Sequence, residues 1–212
     1  MGAMGDFHIR RENFLKDPNF YFLRFGGVYW IDDKFSAAAG VAGLWLATET
    51  EAGLKYAFER RIFQQMLWRT KINKITFLQR IRVEQRWHEV LDRVSGEVDR
   101  RRFSNRFRFL MSASVQIFEN EKMPKLVVAD EVHFHVGKEI VFNTFDQNRL
   151  FVGINQRLSK NLTFDMGYMM VYQQRYTGYQ YDFNNTFRLF FYFSPDWRMK
   201  GKLPHYSVLG EQ

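Results

Sequence analysis

From Phe77 to Trp87 the chain reads Phe-Leu-Gln-Arg-Ile-Arg-Val-Glu-Gln-Arg-Trp, and from Arg80 onward every second residue is charged. Arg80, Arg82, Glu84 and Arg86 alternate with Ile81, Val83, Gln85 and Trp87. A repeat of two sends one set to one face of a β-strand and the other set to the opposite face, whereas a helix would scatter both round its axis. Four charges on one face require water or one another, because an isolated buried charge is very costly. The other face requires an apolar surrounding, which is either a protein core or lipid.

The same alternation recurs along the chain. Phe20–Trp30, Phe35–Leu46, Leu54–Trp68, Ile75–Trp87, Phe103–Phe118, Lys125–His135, Gln147–Gln156, Leu162–Tyr172 and Phe183–Phe193 read as strands, preceded by a weaker one over Phe7–Phe14. Within them Glu59, Arg61, Arg106, Arg108, Glu131, Arg149 and Arg188 share faces with polar or small residues, opposite apolar ones. Leu54–Trp68 is rich in Lys, Glu, Arg, Gln and Met, all good helix formers, and its strand reading rests on its neighbours. Asp130 falls on the apolar side of its strand, a departure from the pattern. The four prolines (Pro18, Pro124, Pro195, Pro204) lie outside the alternating runs, as hydrogen-bonded strands require. Connections alternate between short (Asp32-Asp33, Lys71–Lys74, Glu119–Lys122, Ser159–Asn161) and long (Thr48–Gly53, His88–Arg100, Val136–Thr144, Gln173–Asp182). The fold expected is all-β: a single up-and-down antiparallel transmembrane β-barrel of about ten strands, within roughly eight to twelve.

Three features choose lipid over a protein core for the apolar faces. They run to or beyond the roughly 9–11 residues with which a tilted strand crosses a bilayer. Trp30, Trp45, Trp68 and Trp87 sit near strand ends, where interfacial aromatic belts place tryptophan. The charged faces mix arginine with carboxylates, which can pair across a closed interior. Aromatic residues make up 18% of the chain, a content that suits strands and membrane interfaces. A net charge of +8 suits acidic partners such as lipopolysaccharide phosphates, and the absence of cysteine removes disulfides and thiolate metal sites. The longest apolar stretch, Ala37–Ala47, is far too short for a transmembrane helix. Residues 1–6 read as an appended remnant or truncated N-terminus, 7–193 as the barrel and 194–212 as a C-terminal tail. No secretory signal is visible in Met1–Asp6, so export implies a signal peptide already removed.

Several motifs occur in a set order: Glu59-Arg-Arg-Ile-Phe-Gln-Gln65, Arg80-Ile-Arg-Val-Glu-Gln-Arg86, Arg106-Phe-Arg108, Asp130-Glu131, Phe145-Asp-Gln-Asn-Arg-Leu-Phe-Val-Gly153, Gly167-Tyr-Met-Met170 and Asn184-Asn185 before a last aromatic strand. In this order they resemble the domain-of-unknown-function family DUF2490, barrel proteins of Bacteroidetes and related Gram-negative bacteria, over roughly Arg10 to Phe193. The resemblance implies an exported outer-membrane β-barrel and no assigned activity. The chain departs from it at Met1–Asp6, where the first strand looks truncated, and at Ser194–Gln212, which extends past the last aromatic strand.

The functional expectation follows from the charged faces. Glu59, Arg61, Arg80, Arg82, Glu84, Arg86, Arg106, Arg108, Glu131, Arg149 and Arg188 converge in the barrel interior as a polar network, with Trp30, Trp45, Trp68 and Trp87 as an outer aromatic belt. Small barrels are filled by side chains, and guanidinium forks satisfy carboxylates two oxygens at a time. A plug with a structural or interaction role is therefore expected, in contact with outer-membrane lipid, lipopolysaccharide and other outer-membrane proteins. The alternatives are a narrow anion-preferring, porin-like channel and a soluble lipocalin-like ligand carrier with the faces reversed. No enzyme activity, cofactor or metal is expected. His88, His133 or His135 with Ser112 or Ser114 are the only hydrolase candidates, without a nucleophile motif, and His133-x-His135 with Glu131 is a weak metal pattern. Arg100-Arg-Arg102 reads as a rim cluster rather than a nucleic-acid site, since no phosphate-cradling loop accompanies it.

Overall fold

A computed structural model describes residues 1–13, 15–120 and 123–195. Ten strands follow one another: β1 (Gly2–Glu12), β2 (Asp17–Trp30), β3 (Phe35–Thr50), β4 (Gly53–Ile72), β5 (Ile75–Leu91), β6 (Val98–Val115), β7 (Lys125–Val136), β8 (Phe145–Arg157), β9 (Leu162–Gln174) and β10 (Tyr181–Phe193). They form one up-and-down antiparallel sheet in sequential order. The sheet curls into barrel form until β1 comes back beside β10. There the His8 and Phe190 rings lie 4.7 Å apart and Arg10 donates to Thr186 Oγ1 at 3.4 Å. These side chains join the two edges, and no backbone ladder pairs them among the described residues.

Leu54–Trp68 lies wholly within β4. Ladders to β3 and β5 on either side override its helix-forming composition. Residues 1–6 are not an appendage: β1 begins at Gly2, Met4 is buried against Val28, Ala38 and Phe63, and Asp6 accepts from Arg24 Nε at 2.7 Å. Of the expected tail, residues 196–212 lie outside the described residues.

Each strand alternates inward and outward residues. On β5, Arg80 is 1% exposed and its neighbour Ile81 is 52% exposed. Charges therefore face the interior and apolar side chains face out, the reverse of a lipocalin. The strands tilt. One hydrogen-bonded row starts at Gly2, beside the rim that carries the N-terminus. It runs through Val28, Ala38, Gln65, Arg82, Arg108, His133, Gln147 and Gln173 to Asp182, beside the opposite rim. Tilt of this kind is what closing a sheet on itself requires.

The expected alternation of short and long connections holds only in part. At the far rim, opposite the N-terminus, β3 and β4 remain paired up to Thr50 and Gly53, leaving only Glu51-Ala52 between them. The β5–β6 ladder likewise reaches Leu91 and Val98, so only Asp92–Glu97 loops. The two long hairpins brace each other, the Glu51 N–H donating to the Arg93 carbonyl at 2.9 Å. Asp92 organises its own loop by accepting from the Ser95 and Val94 N–H groups, which hold its carboxyl below the usual carboxylate range. The β6–β7 connection at the N-terminal rim is long, spanning residues 116–124.

The interior is layered. Near the N-terminal rim, Leu67, Leu78, Leu110, Val127, Ala129 and Phe151 form one buried apolar cluster, and Met4, Val28, Ala38 and Phe63, with Trp30 against them, form a second. The ion-paired side chains of β4 to β8 lie farther toward the far rim.

Candidate functional site: the interior ion-pair network

Inward positions on β4 to β8 build one continuous network. Glu84 on β5 is its hub. Arg106 donates to Glu84 Oε2 at 2.7 Å, Arg108 donates to Oε1 at 2.9 Å, and Arg61 reaches Oε2 at 3.5 Å. Arg108 also forks onto Glu131, at 2.9 and 2.8 Å to its two oxygens, and Arg80 donates to Glu131 at 2.6 Å. Arg61 continues to Glu59 at 2.5 Å, and Arg86 grips both Glu59 oxygens at 2.8 and 2.9 Å. Arg82 donates to Gln65 at 2.8 Å through Nε. The two-residue repeat alone places these groups on one face. Register brings them together, because Arg61 opposes Arg86 and Arg82 opposes Arg108 across adjacent strands. Such like-charged cross-strand neighbours are tolerable only because carboxylates lie between them.

Arg149 and Arg188 stand apart from this network. Arg188 stacks over the Phe151 and Phe190 rings, 5.0 and 5.4 Å from their centroids, and donates to Tyr192 Oη at 3.3 Å. Arg149 forms no ion pair among the described residues, and its Nε is buried without a hydrogen-bond partner. On the same side Asp165 is buried and accepts from Asn155 Nδ2 at 2.6 Å and from Tyr192 Oη at 2.9 Å rather than from an arginine.

Asp146 belongs to the network but was not among the residues singled out from the sequence. It accepts from Arg106 at 3.2 Å. Strict alternation would set Asp146 on the face opposite Gln147, yet both are buried. The register of β7 against β8 shifts between His133 and Phe134, and the extra residue at that bulge turns Asp146 inward. Asp6, which meets Arg24, was hidden because β1 was expected to start after it.

The histidines are engaged separately. His133 lies at 3.1 Å from Glu131 and its Nδ1 meets Gln147 Nε2 at 2.9 Å, while His135 meets the Asn143 carbonyl at 2.6 Å. Among the described residues no group of three His, Asp or Glu side chains is placed to hold a metal. Ser112 opposes Ala129 and His133 opposes Arg108, four residues further along the pair, so no serine–histidine couple forms there.

Outside, Trp45 packs on Phe58 and Trp87 on Phe103, each at 5.1 Å, toward the far rim. Phe145, Tyr172 and Tyr181 extend the same band, with Phe145 6.1 Å and Tyr181 4.7 Å from Tyr172. Trp68 stacks on Phe35 at 5.5 Å near the N-terminal rim. Trp30 is a correction. It points inward on the face of Arg24 and Val28 and packs on the Met4–Val28–Ala38–Phe63 cluster, since the strand's repeat places it there whatever its nearness to the strand end.

The chain is thus an all-β protein: a curled ten-stranded antiparallel sheet that buries an arginine–carboxylate network and turns apolar residues outward. The profile of the family described as Protein of unknown function (DUF2490) matches residues 1–197, and the chain belongs to that family. No curated protein and no solved structure matches it.

Proposed function

We propose that this chain is an outer-membrane β-barrel whose interior is a solid plug, serving a structural or interaction role at the bacterial surface. The observation that carries this reading is the inversion of the sheet: buried guanidinium–carboxylate pairs inside and Ile62, Met66, Ile81, Phe109, Val128 and Val152 exposed outside. In water that outer surface would be a large exposed apolar patch, and in a bilayer it meets acyl chains. Polar residues on the outer face satisfy one another, as hydrocarbon demands. Gln64 and Gln85 exchange hydrogen bonds at 3.2 and 3.3 Å, and Asn148 donates to Asp130 at 2.5 Å. The aromatic bands toward either rim correspond to the girdles of membrane barrels.

On this reading the protein sediments with envelopes, resists urea extraction and shows heat-modifiable gel mobility. Free solubility without detergent would remove it. In single-tryptophan variants, lipids brominated on their acyl chains should quench Trp45, Trp68 and Trp87 and spare Trp30. Uniform quenching of all four would contradict the inward placement of Trp30.

The apolar layer at the N-terminal rim supports a plug over a pore, since Leu67, Leu78, Leu110, Val127 and Phe151 are buried against one another across that end of the interior. The folded protein should therefore be silent in planar bilayers. Steady anion-selective conductance would instead favour the narrow channel, which the unpaired Arg149 makes the second reading.

A further inference from the structure

Above the plug, at the far rim, the interior opens into a cup of about 460 Å³ lined by residues of β5 to β10 and two of their connections. The charged and titratable groups lining it are Arg86, His88, Arg102, His135, Asp146, Arg175, Tyr176 and Asp182. Both carboxylates are already engaged: Asp146 by Arg106 at 3.2 Å, and Asp182 by Arg175, whose Nε lies 2.8 and 2.9 Å from its two oxygens. Arg86 is held by Glu59.

Two cup residues are left short of partners. Among the described residues Arg102 has only a 3.5 Å ion-pair contact with Glu139, which Arg100 shares at the same distance. The Nδ1 of His88 is buried without a hydrogen bond, 3.7 Å from a Glu59 already committed to Arg61 and Arg86. His88 and Arg102 are direct cross-strand partners, and both line the cup with Arg86 two residues below His88. Side chains so paired are close neighbours on one face. An under-used guanidinium beside an imidazole whose Nδ1 makes only a long approach to Glu59, with the fixed Arg86 below, matches an acceptor-only anion with several oxygens. Asn143 and Gln173 add amide groups to the wall.

The geometry points to an anion seat at His88 and Arg102 that takes a small phosphate monoester or carboxylate from the aqueous side. The cup lies inside the outer aromatic pairs Trp87–Phe103 and Tyr172–Tyr181, so a soluble anion reaches it through the mouth and a bilayer headgroup does not. The seat is independent of whether the barrel conducts, so a conductance result leaves it standing or falling on its own test.

That test is titration of the full chain, folded in detergent micelles, with inorganic phosphate and with glucose 1-phosphate, followed by ³¹P line broadening. Loss of one charged hydrogen bond should weaken binding about tenfold or more in Arg102→Gln and His88→Gln. Arg101→Gln is the control. It removes the same charge one residue away, from a side chain that is 65% exposed and pairs with Glu89 at 3.3 Å. It should leave binding unchanged, and retained heat-modifiable mobility shows that each variant has folded. No binding by the unaltered protein, or equal losses in Arg101→Gln and Arg102→Gln, would overturn the seat. A second arm compares vesicles of phosphatidic acid with vesicles of phosphatidylcholine. Arg102-dependent preference for phosphatidic acid without binding of free phosphate would assign the residues to a lipid headgroup and overturn the soluble ligand.

Discussion

Replacing Glu84 by glutamine should cost about 3–5 kcal/mol of folding stability, the typical penalty for removing one member of a buried ion pair. The carboxylate is 2% exposed and within 3.5 Å of Arg61, Arg106 and Arg108, with Arg82 at 3.9 Å. Glutamine keeps an acceptor but not the charge, so several buried guanidiniums lose their common counter-ion. Denaturant titration of the protein folded in detergent micelles measures the loss. Glu89→Gln supplies the comparison: Glu89 meets Arg101 at 3.3 Å where that arginine is 65% exposed, a pair worth about 0–1 kcal/mol, and the Phe58 N–H that Glu89 also accepts keeps an acceptor in glutamine. Added salt should erode the Glu89 contribution and leave that of Glu84 nearly intact, because buried pairs are screened far less. Equal costs for the two substitutions would mean that water reaches the hub.

The same topology predicts non-additivity. Arg108 joins Glu84 to Glu131, and Arg106 joins Glu84 to Asp146. Replacing Glu84, Arg106 and Arg108 together by apolar residues of similar volume would relieve the hub yet take Arg106 from Asp146 and leave Glu131 with Arg80 as its arginine. The triple variant should therefore recover only part of the Glu84→Gln loss, unlike an isolated pair, whose joint replacement is often neutral or stabilising.

How far the chain's structure could be read beforehand depended on which signals are local. The period of two in Arg80–Trp87 is local, and it placed Arg80, Arg82, Glu84 and Arg86 on one face without any knowledge of partners. The choice between an inward and an outward charged face was not local. It turned on strand length, the positions of tryptophans and the mixture of charges. Trp30 shows the cost of setting position above parity: it shares the register of Arg24 and Val28, and that register carries it inside although it ends its strand. Asp146 was unreadable for a different reason. A bulge shifts a face by one residue, and nothing in Phe145-Asp146-Gln147 announces it. The far-rim hairpins were misjudged because polar, charged sequences such as Arg100-Arg101-Arg102 resemble loops until Glu89 and Glu139 are seen opposite them. The rows of cross-strand partners, and hence the network and the cup, depend on register, which a single sequence does not encode locally.

Gly40→Ala should prevent the barrel from forming, although it adds a single methyl group. Gly40 on β3 opposes Gly26 on β2, and Gly153 on β8 opposes Gly167 on β9. At each pair the strands bend so closely that a side chain has no room. A Cβ on Gly40 would overlap the Phe25 carbonyl oxygen and come within 2.5 Å of the Gly26 Cα, and one on Gly26 would sit 2.9 Å from Phe63 Cζ. On the other side of the barrel, a Cβ on Gly153 would lie 2.6 Å from Phe151 Cζ, and one on Gly167 3.0 Å from Phe151 Cε2. Each glycine pair is thus the seat of a buried phenyl ring, and each ring carries guanidinium groups: Arg24 and Arg82 lie over Phe63 at 5.3 and 5.4 Å, and Arg188 over Phe151 at 5.0 Å. Closing a narrow barrel concentrates curvature at such glycine corners. Because the obstacle at Gly40 is backbone rather than a movable side chain, the cost should exceed the roughly 1–3 kcal/mol of ordinary overpacking. Gly27 is the internal control, since a Cβ there meets nothing within 4 Å. Gly27→Ala should fold with unchanged heat-modifiable mobility, and Gly40→Ala should run only as the unfolded band. A folded Gly40→Ala barrel would show that β2 and β3 can separate at this corner, and that the phenyl seat is not what sets the curvature.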